Sequence, residues 1–252
     1  MITPLLLSIF LFILMLAAAE VGVRLGKRRL VKDPESANVG VGAIEGAVLA
    51  LLGLILAFTF SGASSRLDAR RQLIVQEANA IGTAYLRVDL LPASDQPAVR
   101  QLFRQYLDAR LEVYERLGDR TASEAALKRA EQLQGEIWKH SEAGTHGQIS
   151  AMPVLNAVNE MIDVTTARTL ALRTHTPKLI VHLMLGLALL SALIAGYGMS
   201  PAKQRNWLLT AIFSAAISLT VYVVLDLDNP NSGLIRLTAA EKVMMQLRET
   251  IK

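Results

Sequence analysis

The 252-residue chain has no cysteine, which excludes disulfides, thiolate metal sites and cysteine nucleophiles. Histidine is scarce as well. His140, His146, His175 and His182 are scattered and lack the paired spacing of a zinc hydrolase. Aromatic residues make up only 5% of the chain and do not interleave with basic runs, and no glycine-rich phosphate loop occurs, so nucleic-acid and nucleotide binding are not expected. No nucleophile, acid pair or metal cluster converges at one place, so no catalytic role and no cofactor is implied. Charged residues are also few, at 19%, while 52% are hydrophobic and the mean hydropathy is +0.36. This balance belongs to a membrane protein rather than an average soluble domain.

Four stretches reach the roughly 20 apolar helical residues that cross a bilayer core. They run from about 2 to 19, 39 to 60, 179 to 199 and 207 to 225. The first has its basic residues after the apolar run, the reverse of a secretory signal, and is read as a retained anchor helix. Short loops rich in Lys and Arg resist translocation. Arg24, Lys27, Arg28, Arg29 and Lys32 follow the first span, and Lys203 and Arg205 lie between the last two. Both loops are therefore expected in the cytoplasm. The N-terminus, the long middle segment and the C-terminus then lie outside, in a multi-pass protein of the cell inner membrane. Residues 64 to 177 carry 14 basic and 14 acidic side chains, a balance that does not hold them inside.

The middle segment reads as helices. The second span continues without a break to about Leu90, with Leu67, Ile74, Ala78, Ile81 and Tyr85 as an amphipathic stripe. The run from Leu91 to Pro97 breaks it, with Asp95 as an N-cap. A next helix follows to about Leu117, its apolar face marked by Val99, Phe103, Tyr106, Leu107 and Leu111. Another, capped by Thr121 or Ser123, runs to about Glu142. Residues 143 to 147 read as a flexible loop before a helix from about Pro153 to His175. The expected architecture is all-α: four transmembrane helices, with a helical bundle inserted between the second and third. Its divisions are residues 1–63, two spans with a basic loop; 64–177, the extramembrane bundle; 178–225, two spans; and 226–252, a turn and an amphipathic helix.

Candidate functional residues are sparse. Leu51, Leu54 and Phe58 share one face of the second span, and copies of it around an axis would form a hydrophobic constriction that gates by dewetting; ordinary packing is the alternative. Thr59 and the following serines would line a wet vestibule or mark the interface. Glu45 is an intramembrane acid, functional or structural. Glu20 pairs with Arg24 at i+4. Asp226 and Asp228 offer oxygen ligands to a hard cation, though a helix-stopping turn explains the same residues. Gly22 and Gly26, like Gly42 and Gly46, are spaced for close helix contact within the bundle.

The basic loop, the run Gly42-Ala43-Ile44-Glu45-Gly46, the stretch from Arg71 to Tyr85, and Leu225-Asp226-Leu227-Asp228-Asn229-Pro230 resemble a bacterial four-span membrane family, a domain of unknown function labelled bestrophin-like. The resemblance covers about residues 5 to 236. It implies a pentameric ion channel whose second span lines the pore, with the Leu54 to Phe58 region as a hydrophobic neck. Partners on this reading are the lipid bilayer, further copies of the chain and small ions. Two functions follow as expectations: a homo-oligomeric channel, or a membrane-anchored interaction or sensory module that acts through its extracytoplasmic bundle without conduction.

Overall fold

Thr3 accepts the Leu6 N–H on its side-chain oxygen, and Pro4 opens the first helix where its missing N–H costs nothing. From there a computed structural model describes residues 3–33, 40–116, 119–145, 152–201, 206–229, 234–235 and 238–251. The helices are α1 (Pro4–Lys32), α2 (Val41–Arg87), α3 (Gln96–Glu115), α4 (Arg120–Thr145), α5 (Met152–Arg173), α6 (Lys178–Gly198), α7 (Trp207–Asp228) and α8 (Thr238–Thr250). A 3-10 turn, Val88–Leu90, follows α2. Among the described residues no strand forms. Four helices are long and apolar enough to cross a membrane, in agreement with the four expected spans.

The chain divides into two compact units: residues 1–65 with 175–235, and residues 66–174 with 236–252. The boundary falls inside α2, which runs unbroken through Ser65 as expected. At about 1.5 Å per residue its 47 residues extend about 70 Å.

In the first unit Leu11, Met15, Leu52, Leu56, Met184, Leu187, Ala188, Ala192, Val221 and Leu225 form the core. Helix α1 packs most closely on α6. A Cβ at Gly22 would strike the Leu193 carbonyl, one at Gly196 the Ala19 carbonyl, and one at Gly26 the Ser200 side chain. Backbones approach here because lipid offers no hydrophobic drive between helices, leaving close van der Waals contact to hold them. Helix α1 also runs further than its apolar stretch, through the basic residues to Lys32, and Glu20 receives the Arg24 guanidinium at 2.7 Å.

The second unit has its own core, in which Ile74, Ile81, Phe103, Leu107, Ile137, Val158 and Met161 are buried. Tyr85 meets Phe103 edge to face at 5.9 Å, and the Arg100 guanidinium lies 4.7 Å from the Tyr85 ring centre. Arg70 is buried and donates to the carbonyls of Ala171 and Thr174, closing the C-terminal end of α5. Helix α8 docks on this unit: Met244 and Ile251 are buried, and Arg248 pairs with Asp108.

Two local expectations need correction. The cap of α4 is Asp119, whose Oδ1 accepts the N–H groups of Thr121 at 3.0 Å and Ala122 at 3.1 Å, rather than Thr121 or Ser123. Helix α4 also continues through Ala143, Gly144 and Thr145, so the first part of the expected loop is helical. Gly144 serves close packing there, since a Cβ would lie 3.1 Å from Asp95 Oδ2 and 3.3 Å from Leu91 Cδ2. His146 and Gly147 lie outside the described residues, as do the loop lysine and arginine Lys203 and Arg205.

Candidate functional site

Helix α2 is the least covered of the four apolar helices. Only 11% of its apolar window is buried within the chain, against 33% for each of the others. Leu51 is 46% exposed, Leu54 52% and Phe58 69%. Beside them Gly42, Gly46, Ala50, Gly53, Ala57 and Ser61 form a second exposed stripe of small residues, spaced by three or four. A Cβ at Gly42, Gly46 or Gly53 would meet nothing within 4 Å. At 3.6 residues per turn, the two stripes lie roughly 100° apart around the helix. The opposite side carries Leu52 and Leu56 into the core. Within one chain, then, α2 leaves both a large apolar stripe and a small-residue stripe uncovered.

Thr59 is not on that face. It is buried, and its hydroxyl donates to the Ile55 carbonyl at 2.6 Å. The Gly42 and Gly46 pair likewise departs from the expected contact within the chain, whereas Gly22 and Gly26 fulfil it.

Glu45 sits in the second turn of α2, half-buried, and lines a cavity of about 480 Å³ with Ala19, Gly198, Met199, Thr210 and Phe213. Its Oε2 would lie 3.6 Å from a Cβ at Gly198. The carboxylate therefore turns toward α6 and α7 and is some 13 residues, or about 20 Å along the helix, from Phe58. The structure does not bring these two candidates together.

Asp226 and Asp228 are both buried at the end of α7. The Asp226 carboxylate accepts the N–H groups of Leu234 and Ile235, and Asp228 Oδ2 accepts that of Thr176 at 2.8 Å. The pair fastens the backbone on either side, which favours the turn reading over a cation ligand set. Among the described residues no group of three or more His, Asp or Glu is placed to hold a metal.

One constellation escaped the sequence reading. Glu77 on α2 is completely buried and faces two arginines: Arg110 Nε of α3 donates to Oε1 at 2.6 Å, and Arg168 of α5 donates to Oε2. Beside them the Tyr106 hydroxyl lies 3.0 Å from Thr165 Oγ1 and accepts from Gln134 Nε2 at 3.1 Å. Burial pushes the Tyr106 phenol up to about 12, so it stays neutral; the Glu77 and Arg110 charges modify this in opposite directions. Arg110 loses hydration but is held above its ordinary range by the adjacent Glu77 carboxylate. The signal was present: Glu77 lies three residues after Ile74 and four before Ile81, on the core side of an amphipathic stripe.

A bestrophin-like domain matches residues 10–241. No curated protein sequence matches the chain. Among solved structures, a bacterial Bestrophin homolog from Klebsiella pneumoniae is similar at a TM-score of 0.66 and 16% identity, covering 96% of this chain and 97% of that one. A mutated form of that homolog gives 0.67 and 15%, covering 96% and 99%. A further membrane protein structure gives 0.62 and 16%, covering 97% and 98%. At these identities the structures establish the fold.

Proposed function

Because the chain belongs to the bestrophin-like family, whose domain spans nearly all of it, we propose that this multi-pass membrane protein is a homo-oligomeric channel. Its α2 helices surround the conduction path, and Leu51, Leu54 and Phe58 form the hydrophobic gate. The observation that carries this reading is the uncovered face of α2, with large apolar groups on one stripe and open glycines on the other. One four-span copy is too small to enclose a path, so closed symmetry among copies is part of the proposal. The bestrophin likeness makes five the favoured number. Thr59, turned into its own core, is left out of the gate. Glu45 belongs beside the path in a cavity of its own, and Asp226 and Asp228 hold the turn that leads away from α7.

Ion flux from proteoliposomes tests this. Phe58→Ala widens the narrowest apolar ring and lowers its dewetting barrier, so flux is expected to rise several-fold over the unsubstituted protein. Equal flux from both proteins would remove Phe58 from the gate. The competing reading, an anchored interaction module, draws on the second unit having a core and a polar network of its own. Absence of flux from both proteins would favour it.

We also propose that the second unit lies outside the cytoplasm of a bacterial inner membrane, on the strength of the basic first loop. The lack of cysteine makes single-cysteine labelling free of background. Lys139→Cys is exposed on α4 and should react with an impermeant maleimide in intact cells, whereas Lys27→Cys should be protected. The reverse pattern would invert the orientation.

A further inference from the structure

Glu45 is an acid on a membrane-spanning helix with nothing in its own chain to answer it. Among the described residues it makes no hydrogen bond, ion pair or other electrostatic contact, although it is half-buried. Such a group is costly in apolar surroundings unless a partner of opposite charge offsets the lost hydration. The cavity it lines, of about 480 Å³, falls in the size range of small-molecule sites. Of the described residues that line it, Glu45 is the one that is ionisable. The other polar side chain, Thr210, is buried. Its hydroxyl hydrogen is already engaged, toward the Asn206 carbonyl at 3.4 Å or the Met199 sulfur at 4.0 Å, so only its lone pairs are left for a ligand. Both polar side chains are therefore acceptors. The rest of the wall includes the apolar Val41, Leu209 and Phe213. Gly198 leaves the space open beside the carboxylate, since a Cβ there would lie 3.6 Å from Glu45 Oε2 and 3.6 Å from Val41 Cγ1.

We propose that this cavity is a binding site for a primary organic ammonium ion, whose N–H groups donate to the Glu45 carboxylate and whose hydrocarbon body lies against the apolar wall. An alkylammonium carries three donors and no acceptor, which matches polar side chains that offer acceptors alone. An anion would face Glu45. A hard metal cation takes about six or more oxygen ligands, and one carboxylate with one hydroxyl falls short of that set. The site lies within the first unit and shares no residue with the proposed gate, so it stands or falls independently of conduction. Gly42 also belongs to the small-residue stripe of α2, so the assembled full-length protein is what is tested.

Thermal unfolding of that protein in nanodiscs, with benzylammonium chloride replacing sodium chloride at constant total chloride, tests the site. A saturable rise in melting temperature is expected, because a molecule that binds only the folded state stabilises by mass action. Benzyl alcohol, which has the same carbon body without the charge, should give no saturable rise. Glu45→Gln keeps the shape of the side chain and removes the charge, and should raise the half-saturating benzylammonium concentration about tenfold or more. Gly198→Leu places a side chain in the cavity beside the carboxylate and should remove the saturable response. A purely structural role for Glu45 would alter the melting temperature of the free protein without moving the half-saturating concentration. Absence of a saturable rise in the unsubstituted protein overturns the proposal. So does an equal rise with benzyl alcohol, which would mark an apolar pocket indifferent to charge, or an unmoved midpoint in folded Glu45→Gln. Should Glu45→Gln fail to fold, Gly198→Leu decides: a lost response supports the site, and an unchanged one overturns it.

Discussion

Glu77→Ala is expected to unfold the second unit. The substitution leaves Arg110 and Arg168 facing each other across the space that the carboxylate filled, both essentially sealed from solvent. Removing one member of a buried ion cluster costs about 3–5 kcal/mol, because the surviving charges lose a carboxylate but do not regain water. That is a large part of the roughly 5–15 kcal/mol that holds a typical domain together. Glu77→Gln keeps volume and one acceptor oxygen but loses the charge, and should fall between the two. Replacing the whole triad, with Glu77→Leu, Arg110→Met and Arg168→Met, should recover most of the loss, since packed apolar groups need no charge partner. Limited proteolysis with thermal melting of the detergent-solubilised protein reads this order. Equal resistance of Glu77→Ala and the unsubstituted protein would show that the cluster contributes little to the fold.

The second large effect should come from the open glycine stripe, where Gly46→Leu and Gly53→Leu are expected to abolish the assembly of copies. Within one chain these changes are favourable: nothing lies within 4 Å of either Cβ, and leucine is a better helix former than glycine by somewhat under about 1 kcal/mol. Any loss must therefore come from something outside the chain. If α2 of a neighbouring copy approaches along this stripe, a leucine side chain holds the backbones apart. Each interface then loses about 1–3 kcal/mol, repeated around the ring. The mass of the purified complex should fall to that of a single chain, with melting of the chain itself unchanged or raised. A complex of unaltered mass in both variants would place this stripe against lipid.

Much of the fold was legible because it is written in local periodicity. The four apolar runs give α1, the first half of α2, α6 and α7, and the stripe from Leu67 to Tyr85 shows α2 running on past the apolar segment. What was illegible depends on partners distant in the chain. The Gly22 and Gly26 pair looks the same in sequence as the Gly42 and Gly46 pair, yet α6 fills the space against the first and nothing in the chain fills the space against the second. Gly144 reads as a loop glycine until Asp95 and Leu91 are seen packed on it. Asp226 and Asp228 leave a cation site and a turn open in sequence, and the backbone N–H groups their oxygens accept come from residues 234, 235 and 176. Thr59 belongs by position with Phe58, but the helix turns its hydroxyl back onto the Ile55 carbonyl. Glu77 alone was a missed local signal, an acid on the core side of an amphipathic stripe; its meaning required Arg110 and Arg168, 33 and 91 residues away.

The most direct measurement of the central claim is the mass of the complex held in nanodiscs, followed by ion flux from the same preparation in liposomes. The account predicts one closed assembly of several copies, five on the bestrophin likeness, that conducts ions. A monomer or dimer without flux would contradict it, and would leave α2's uncovered face to lipid and the second unit to a binding partner.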